Sequence, residues 1–473
     1  MRFPTRTLAV SVVVSLGLAT AFAQTAAGPG TRVFRGARVL QADGVIERAT
    51  IVVRDGRVVD IGPATAVRPP AGVPVVDLAG KVVVAGFISA HAHVSDIDGL
   101  RPRAYTEANT LRQLGVFARY GITTVWSLGG EQAPAFAARD GQGVASLDRA
   151  RIYLAGPIVA GASPEAARAA VARVAEARGN VVKIRVDDNL GSSTKMPPEV
   201  YRAVIEEAHR RGLRVAAHIF YLEDAKGLLR AGVDMIAHSV RDTDIDDEFI
   251  RLMKARSVPY CPTLTRELAT FVYESTPAFF ADPVFLREAD PALVAQLQEP
   301  ARQDAMGRSK SAQAYKAALV VAKRNLKRAA DAGLLIAMGT DSGAFPERFE
   351  GYFEHLEMEM MAEAGLTPAQ VLRAATVDAA RALRVDDLGR LTPGAWADFV
   401  VLDRDPLADI RHTRSISSVW IAGNRVPARA DVRSPVVRQQ GAHSWQILSC
   451  TWNSIHPTPR RRRRFMGGCS TGS

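Results

Sequence analysis

The stretch GFISAHAHVSD, residues 86–96, sets His91 and His93 one residue apart at the end of an apolar run. In an extended chain, side chains two positions apart leave on the same face. Both imidazoles could therefore reach one divalent ion. Further along, Lys183 lies in VVKIRVDD with apolar neighbours on both sides, His218 falls in LRVAAHIFY, His238 in VDMIAHSV and Asp341 in GTDSG. Imidazole, carboxylate and amine groups in such company suit Zn²⁺ or a similar borderline ion, with hard oxygen supplied by Asp341 and by the lysine once modified. Each residue alone has a plainer reading: a histidine in an apolar strand is more often a satisfied core group, and Asp341 beside Gly343 could close an Asx turn. Their joint placement at the ends of apolar runs is what points to a metal centre. The remaining histidines, His209, His355, His412, His443 and His456, read as structural or surface residues.

Three further residues bear on a substrate. Arg185, two past Lys183, faces the same side and could clamp a carboxylate, or equally pair with Asp187 or Asp188. Tyr221 is a candidate donor to a tetrahedral oxyanion. Asp242 could support His238 or cap the helix that follows.

The elements that would position these groups are legible as eight short apolar runs between residues 85 and 385: GFISAHAHV, GITTVWSLGG, RIYLAGPIV, NVVKIRVDD, LRVAAHIFY, VDMIAHSV, VPYCPTLT and LLIAMGTDSG. They alternate with helical stretches such as SPEAARAAVARVAEARG and PPEVYRAVIEEAHRRG, each with proline near its start and arginine near its end. Eight strands each followed by a helix predict an α/β protein with a closed (β/α)₈ TIM-type barrel, whose site sits at the carboxyl ends of the strands. The flanking segments, 31–84 and 386–430, are strand-rich and broken by Asp-Gly and Ala-Gly turns, which predicts a small composite β-sandwich domain. The stretch from Glu267 to Lys327 exceeds an ordinary loop, is helical in period, and reads as a lid.

The chain has 473 residues, 47% of them hydrophobic and 23% charged, the composition of a folded globular protein. Its net charge of +11 is unevenly placed: Arg2 and Arg6 lie in residues 1–23, and Arg438 with Arg460 to Arg464 in residues 434–473, neither segment holding an acid. What remains is too small for a nucleic-acid surface. Residues 1–23, with two arginines, an apolar run and Ala21-Phe22-Ala23, read as a signal peptide, hence export to the periplasm or medium and no membrane span after cleavage. Three cysteines, Cys261, Cys450 and Cys469, exclude a disulfide framework. Residues 434–473 read as a disordered basic tail that adds nothing to catalysis.

Taken together, GRVVDIG, the His-x-His, Lys183, His218, His238, GTDSG and GRLTPGAWADFVVLD resemble the amidohydrolase superfamily of metal-dependent hydrolases, and within it the imidazolonepropionase-related group with exported Xaa-Pro dipeptidase-like enzymes. The resemblance implies two metals per chain, zinc first among candidates. His91, His93 and Asp341 would bind the more buried ion and His218 with His238 the other, bridged by an N6-carboxylated Lys183. A metal-bridging hydroxide would open a carbon–nitrogen bond of a small amide, cyclic amide or dipeptide, with Asp341 and His238 as the catalytic residues, and homo-oligomers remain open. One departure stands out: where the family usually has aspartate two residues before the first histidine, this chain has Ser89. The rival readings are a mononuclear deaminase, which needs a glutamate just after His218 where this chain offers Glu223 five residues on, and a non-catalytic exported barrel that binds ligand.

Overall fold

The computed structural model describes residues 30–429. The signal-peptide and tail readings, for residues 1–23 and 434–473, lie outside the described residues. Thr31–Gln41, Gly44–Arg54 and Arg57–Pro63 form an antiparallel meander. Its second turn is Asp55-Gly56, with φ of 50° and 81°, the left-handed pair that a two-residue hairpin demands. Val82–Ala85 then pairs parallel with the first strand and antiparallel with Phe399–Leu402, which in turn pairs with Ile416–Ile421. The first and last strands of the described residues thus meet in a single eight-stranded sheet, where the sequence reading placed a sandwich. Phe34, Ile51, Val53, Val83, Phe399 and Trp420 fill one of its faces.

Only Gly86 separates this sheet from the first of the parallel strands, and a Cβ there would stand 2.0 Å from the Thr123 hydroxyl. The parallel strands form two sheets. Phe87–Ala92, Ile122–Ser127 and Arg151–Leu154 make one, and Val182–Arg185, Val215–His218, Met235–Ala237 and Tyr260–Cys261 the other, each in chain order. Ala155-Gly156-Pro157 explains the gap between them, since Gly156 has φ 77° and proline has no N–H to give a ladder. A parallel bridge, Val159 to Ile184, spans it.

The eighth run is not a regular strand. Asp341 at φ 62° and Gly343 at φ 78° break its extension. It is nevertheless tied to both neighbours, by parallel bridges from Ile336 to Tyr260 and from Ser342 to Ala92, and by Ala90 N donating to Met338 O at 2.7 Å.

The helices between strands follow their patterning. Pro164–Glu176 turns Ala167, Val171 and Val174 inward, and Ser163 caps it at Ala166 N. Pro198–Arg210 does the same with Val200, Val204 and Ala208. The excursion after the seventh strand is helical as its period suggested, ending in the long helix Lys310–Asp331. Its Phe279, Phe280 and Phe285 pack on Phe349, Tyr352 and Phe353, with ring centroids 4.8 Å apart for Phe285 and Phe349. No helix among the described residues is long and apolar enough to cross a membrane.

Candidate active site

His91 lies within the strand Phe87–Ala92 and His93 just beyond it. Both turn to the carboxylate of Asp341: the Nε2 atoms of His91 and His93 are 3.1 and 3.0 Å from its Oδ1. These three form a cluster whose donor atoms all lie within 4.8 Å of one another. Lys183 Nζ is 3.3 Å from His91 Nε2. The His238 ring is 4.5 Å from that of His91 and 4.1 Å from that of His218. All six residues expected to hold metal are therefore contiguous, and all are buried.

Three of the residues that turn inward at strand ends have left-handed backbones: His238 at φ 76°, Thr263 at φ 50° and Asp341 at φ 62°. For a β-branched residue such as Thr263 this is an uncommon and costly conformation, held by what surrounds it. Thr263 repays it by placing its hydroxyl 2.7 Å from His238 Nδ1.

Hydrogen bonding fixes which ring atoms face inward. His93 Nδ1 lies 3.0 Å from the Gly129 carbonyl, which can only accept, so Nδ1 carries a proton and Nε2 is the atom turned to the Asp341 carboxylate. At 3.0 Å that nitrogen and the carboxylate oxygen share a proton, in the place a cation would take. His238 Nε2 and His91 Nδ1 are buried without a hydrogen-bond partner. This donor set fits a borderline divalent ion.

The charge states of three of the four histidines agree with that fit, and His93 holds a proton that an ion would displace. Burial, helped by Lys183, lowers His91 to about 3, and burial lowers His218 to about 3 despite the Asp187 carboxylate. His238 is held well below its ordinary value by burial and by His218 and His91. These imidazoles are neutral near pH 7, the form a metal takes. For His93 burial is outweighed by Asp341 and Asp96, which lift it to about 10. Burial would raise the Asp341 carboxyl, yet Arg348, His91 and His93 hold it well below the usual range. Burial brings Lys183 down to about 8, so part of it is free amine at neutral pH.

The two substrate-side candidates are engaged with carboxylates. Arg185 Nε donates to Asp187 Oδ1 at 2.8 Å, the ion pair that the sequence left open, and Asp187 Oδ2 reaches His218 Nε2 at 3.1 Å. Tyr221 donates to Asp188 Oδ1 at 2.8 Å. Asp242 accepts from Leu222 N at 2.9 Å, at the start of the preceding helix Leu222–Ala231, while the helix that follows it, Asp247–Ala255, is capped by Asp246 instead. Glu223 stands exposed on the helix Leu222–Ala231, its carboxylate paired with Lys226.

Sequence reasoning missed Arg348, whose Nη1 donates to Asp341 Oδ2, and Thr263 and Glu354. Nothing in their spacing marks them. The Ser89 hydroxyl, at the place where the resembling family carries aspartate, donates to Glu354 Oε1 at 3.0 Å, so a carboxylate arrives there from a helix instead.

Comparison with known proteins bears on this arrangement. The model of the amidohydrolase family matches residues 82–426, from the last strand before Gly86 through the closing strands. The chain belongs to the amidohydrolase family. Amidohydrolase relatives include the ochratoxinase of Aspergillus niger, 26% identical over 281 residues, which are 57% of this chain and 51% of that protein. The chain thus spans about half the length of this relative. The imidazolonepropionase of Deinococcus deserti is 38% identical over 104 residues, 21% of this chain and 26% of that protein. Among solved structures, a Xaa-Pro dipeptidase with bound methionine in its active site aligns with a TM-score of 0.67 at 22% identity, covering 84% of this chain and 99% of the other, a likeness of fold.

Proposed function

We propose that this chain is an exported metal-dependent amidohydrolase that cleaves a carbon–nitrogen bond in a small amide, cyclic amide or dipeptide-like substrate. The observation that carries the reading is the convergence of six buried side chains of ligand type, with His91 and His93 both turning Nε2 to one oxygen of Asp341 and Lys183, His238 and His218 beside them. His91, His93 and Asp341 would hold one ion, and His218, His238 and Lys183 carboxylated at Nζ a second, zinc being the ion these ligands suit. A divalent ion bound there polarises an amide carbonyl and lowers the pKa of water.

The chain's own groups supply the rest. Asp341, held as a carboxylate by Arg348, takes a proton from water at a carboxylate oxygen and returns it to the leaving nitrogen. Thr263 fixes the His238 ring, and Asp187 fixes His218. Arg185, held by Asp187, would clamp a substrate carboxylate, and Tyr221, held by Asp188, would donate to the oxyanion. In this reading the two parallel sheets, their bridges and the eighth run make one (β/α)₈ barrel over residues 85–385. Residues 31–84 and 386–430 form the composite sheet domain beside it, and residues 1–23 direct export.

A second reading, a mononuclear deaminase, draws on the tightness of the three-donor cluster. The exposure of Glu223, its proton shuttle, weighs against it. The experiment that tests the proposal is turnover of Xaa-Pro, Xaa-Arg and N-acyl amino acid substrates before and after chelation. Release of free amino acid that stops in chelator and returns with zinc supports the amidohydrolase. Ammonia as the product would select the deaminase, and turnover indifferent to chelation would end both.

A further inference from the structure

We infer that Glu354 is a positioning residue for the metal centre, its buried carboxylate locking together the two chain segments that present His91 and Asp341. The inference rests on the metal-centre reading above.

Glu354 lies in the first turn of the helix Tyr352–Glu363 and touches none of the six candidate ligands. Its Oε1 accepts three hydroxyls: Ser89 at 3.0 Å, Thr340 at 2.7 Å and Ser342 at 2.7 Å. Its Oε2 accepts Gly351 N at 2.8 Å. Ser89 is two residues before His91, while Thr340 and Ser342 stand on either side of Asp341. All four side chains have no exposed surface.

Three donors on one oxygen suit a full carboxylate, since an amide oxygen is the weaker acceptor and its NH₂ would face either Gly351 N, donor against donor, or the three hydroxyls, which would have to turn from donating to accepting. The fourth contact depends on Gly351, whose φ of 78° starts the helix, and where a Cβ would stand 2.2 Å from Tyr120. The site of action is also a place where the backbone leaves the extended form. Asp341 is held at φ 62° with both neighbours tied to one atom, and Ser342 N closes back on Thr340 Oγ1 at 3.0 Å. Released from Glu354, the Asp341 peptide has an easier extended conformation available, in which its carboxylate no longer lies between His91 and His93. Glu354 therefore acts on the metal by pre-setting the ligand, in the way that partners of metal ligands do.

The test uses the full mature chain with Zn²⁺, measured by competition with a chromophoric chelator, and with Co²⁺ as a spectroscopic stand-in. In Glu354→Gln the affinity for Zn²⁺ falls 10- to 100-fold, on the order seen when a ligand's supporting partner is lost, and the visible Co²⁺ absorption shifts as the Asp341 ligand moves. Ser342→Ala, which removes one of the three hydroxyls, moves both in the same direction by less. A folded Glu354→Gln chain with wild-type affinity and an unchanged Co²⁺ spectrum would overturn the inference. If that variant does not fold, an unaltered Ser342→Ala overturns it equally. A wild-type chain that binds no zinc fails earlier, at the reading of the site itself.

Discussion

At the residue scale the weight falls on Asp341, which meets two histidines with one oxygen and Arg348 with the other. Asp341→Asn keeps the shape and removes both the negative charge and the proton acceptor. Its expected cost in kcat is about 10²–10⁴-fold, the span of a lost acid–base group, with little change in KM. Steady-state kinetics on the best substrate check this, and a variant within threefold of wild type would remove Asp341 from the chemistry. The six ligand candidates were legible in the sequence because strands expose alternate residues and barrels gather their carboxyl ends, so position alone nominated them. Arg348, Thr263 and Glu354 were not legible. They reach the site from a loop, a left-handed corner and a helix, and no periodicity constrains which such side chains will point inward. Arg185 was read correctly only as a choice, and the structure takes its ion-pair branch with Asp187.

At the scale of elements the helix Tyr352–Glu363 does more than cover the parallel strands. Besides Glu354 it buries Glu357, which accepts Leu264 N at 2.8 Å and Thr265 N at 2.7 Å just after the Thr263 corner, and burial pushes Glu357 up to about 7. It also buries His355, whose Nδ1 meets Thr413 at 2.9 Å and whose Nε2 meets the Tyr120 carbonyl at 2.8 Å. The sequence reading of His355 as structural agrees with this placement. Burial lowers His355 to about 4, so the folded chain prefers it neutral. Its stabilising contribution is complete above about pH 6.5 and is lost as the pH falls through 4, amounting to about 3 kcal/mol over that window. Glu357, raised by burial, works in the opposite sense. Comparing urea midpoints of wild type and His355→Gln across this window isolates the histidine, since Glu357 is common to both. The wild type should lose more stability on acidification, and parallel pH profiles would contradict the assignment. None of this helix's role could be read from its pattern, because an amphipathic period says which residues are inside but not which buried polar groups find one another.

At the scale of the molecule, the terminal sheet and the parallel strands are joined by polar contacts as well as by chain. Arg151, at the start of the third parallel strand, pairs with Asp398 at 2.8 Å with both side chains almost wholly buried, and its guanidinium lies 4.0 Å from the Trp396 ring centre. Asp398 also accepts Ala422 N at 2.7 Å, so one carboxylate ties both parts together. The sequence foretold that the two ends would meet and that parallel strands would alternate with helices. It did not foretell a single terminal sheet, the gap at Gly156-Pro157 or the irregular eighth run. Each of these follows from glycine, proline or left-handed residues whose effect depends on neighbours distant in the chain. The measurement that tests the central claim most directly is the metal content of the purified chain by elemental analysis, beside Lys183→Ala. The account predicts close to two zinc ions per wild-type chain and a sharp fall in the variant together with its turnover. One ion per chain, unchanged when Lys183 is lost, would contradict the lysine-bridged pair, and no metal in either chain would contradict the metal centre altogether.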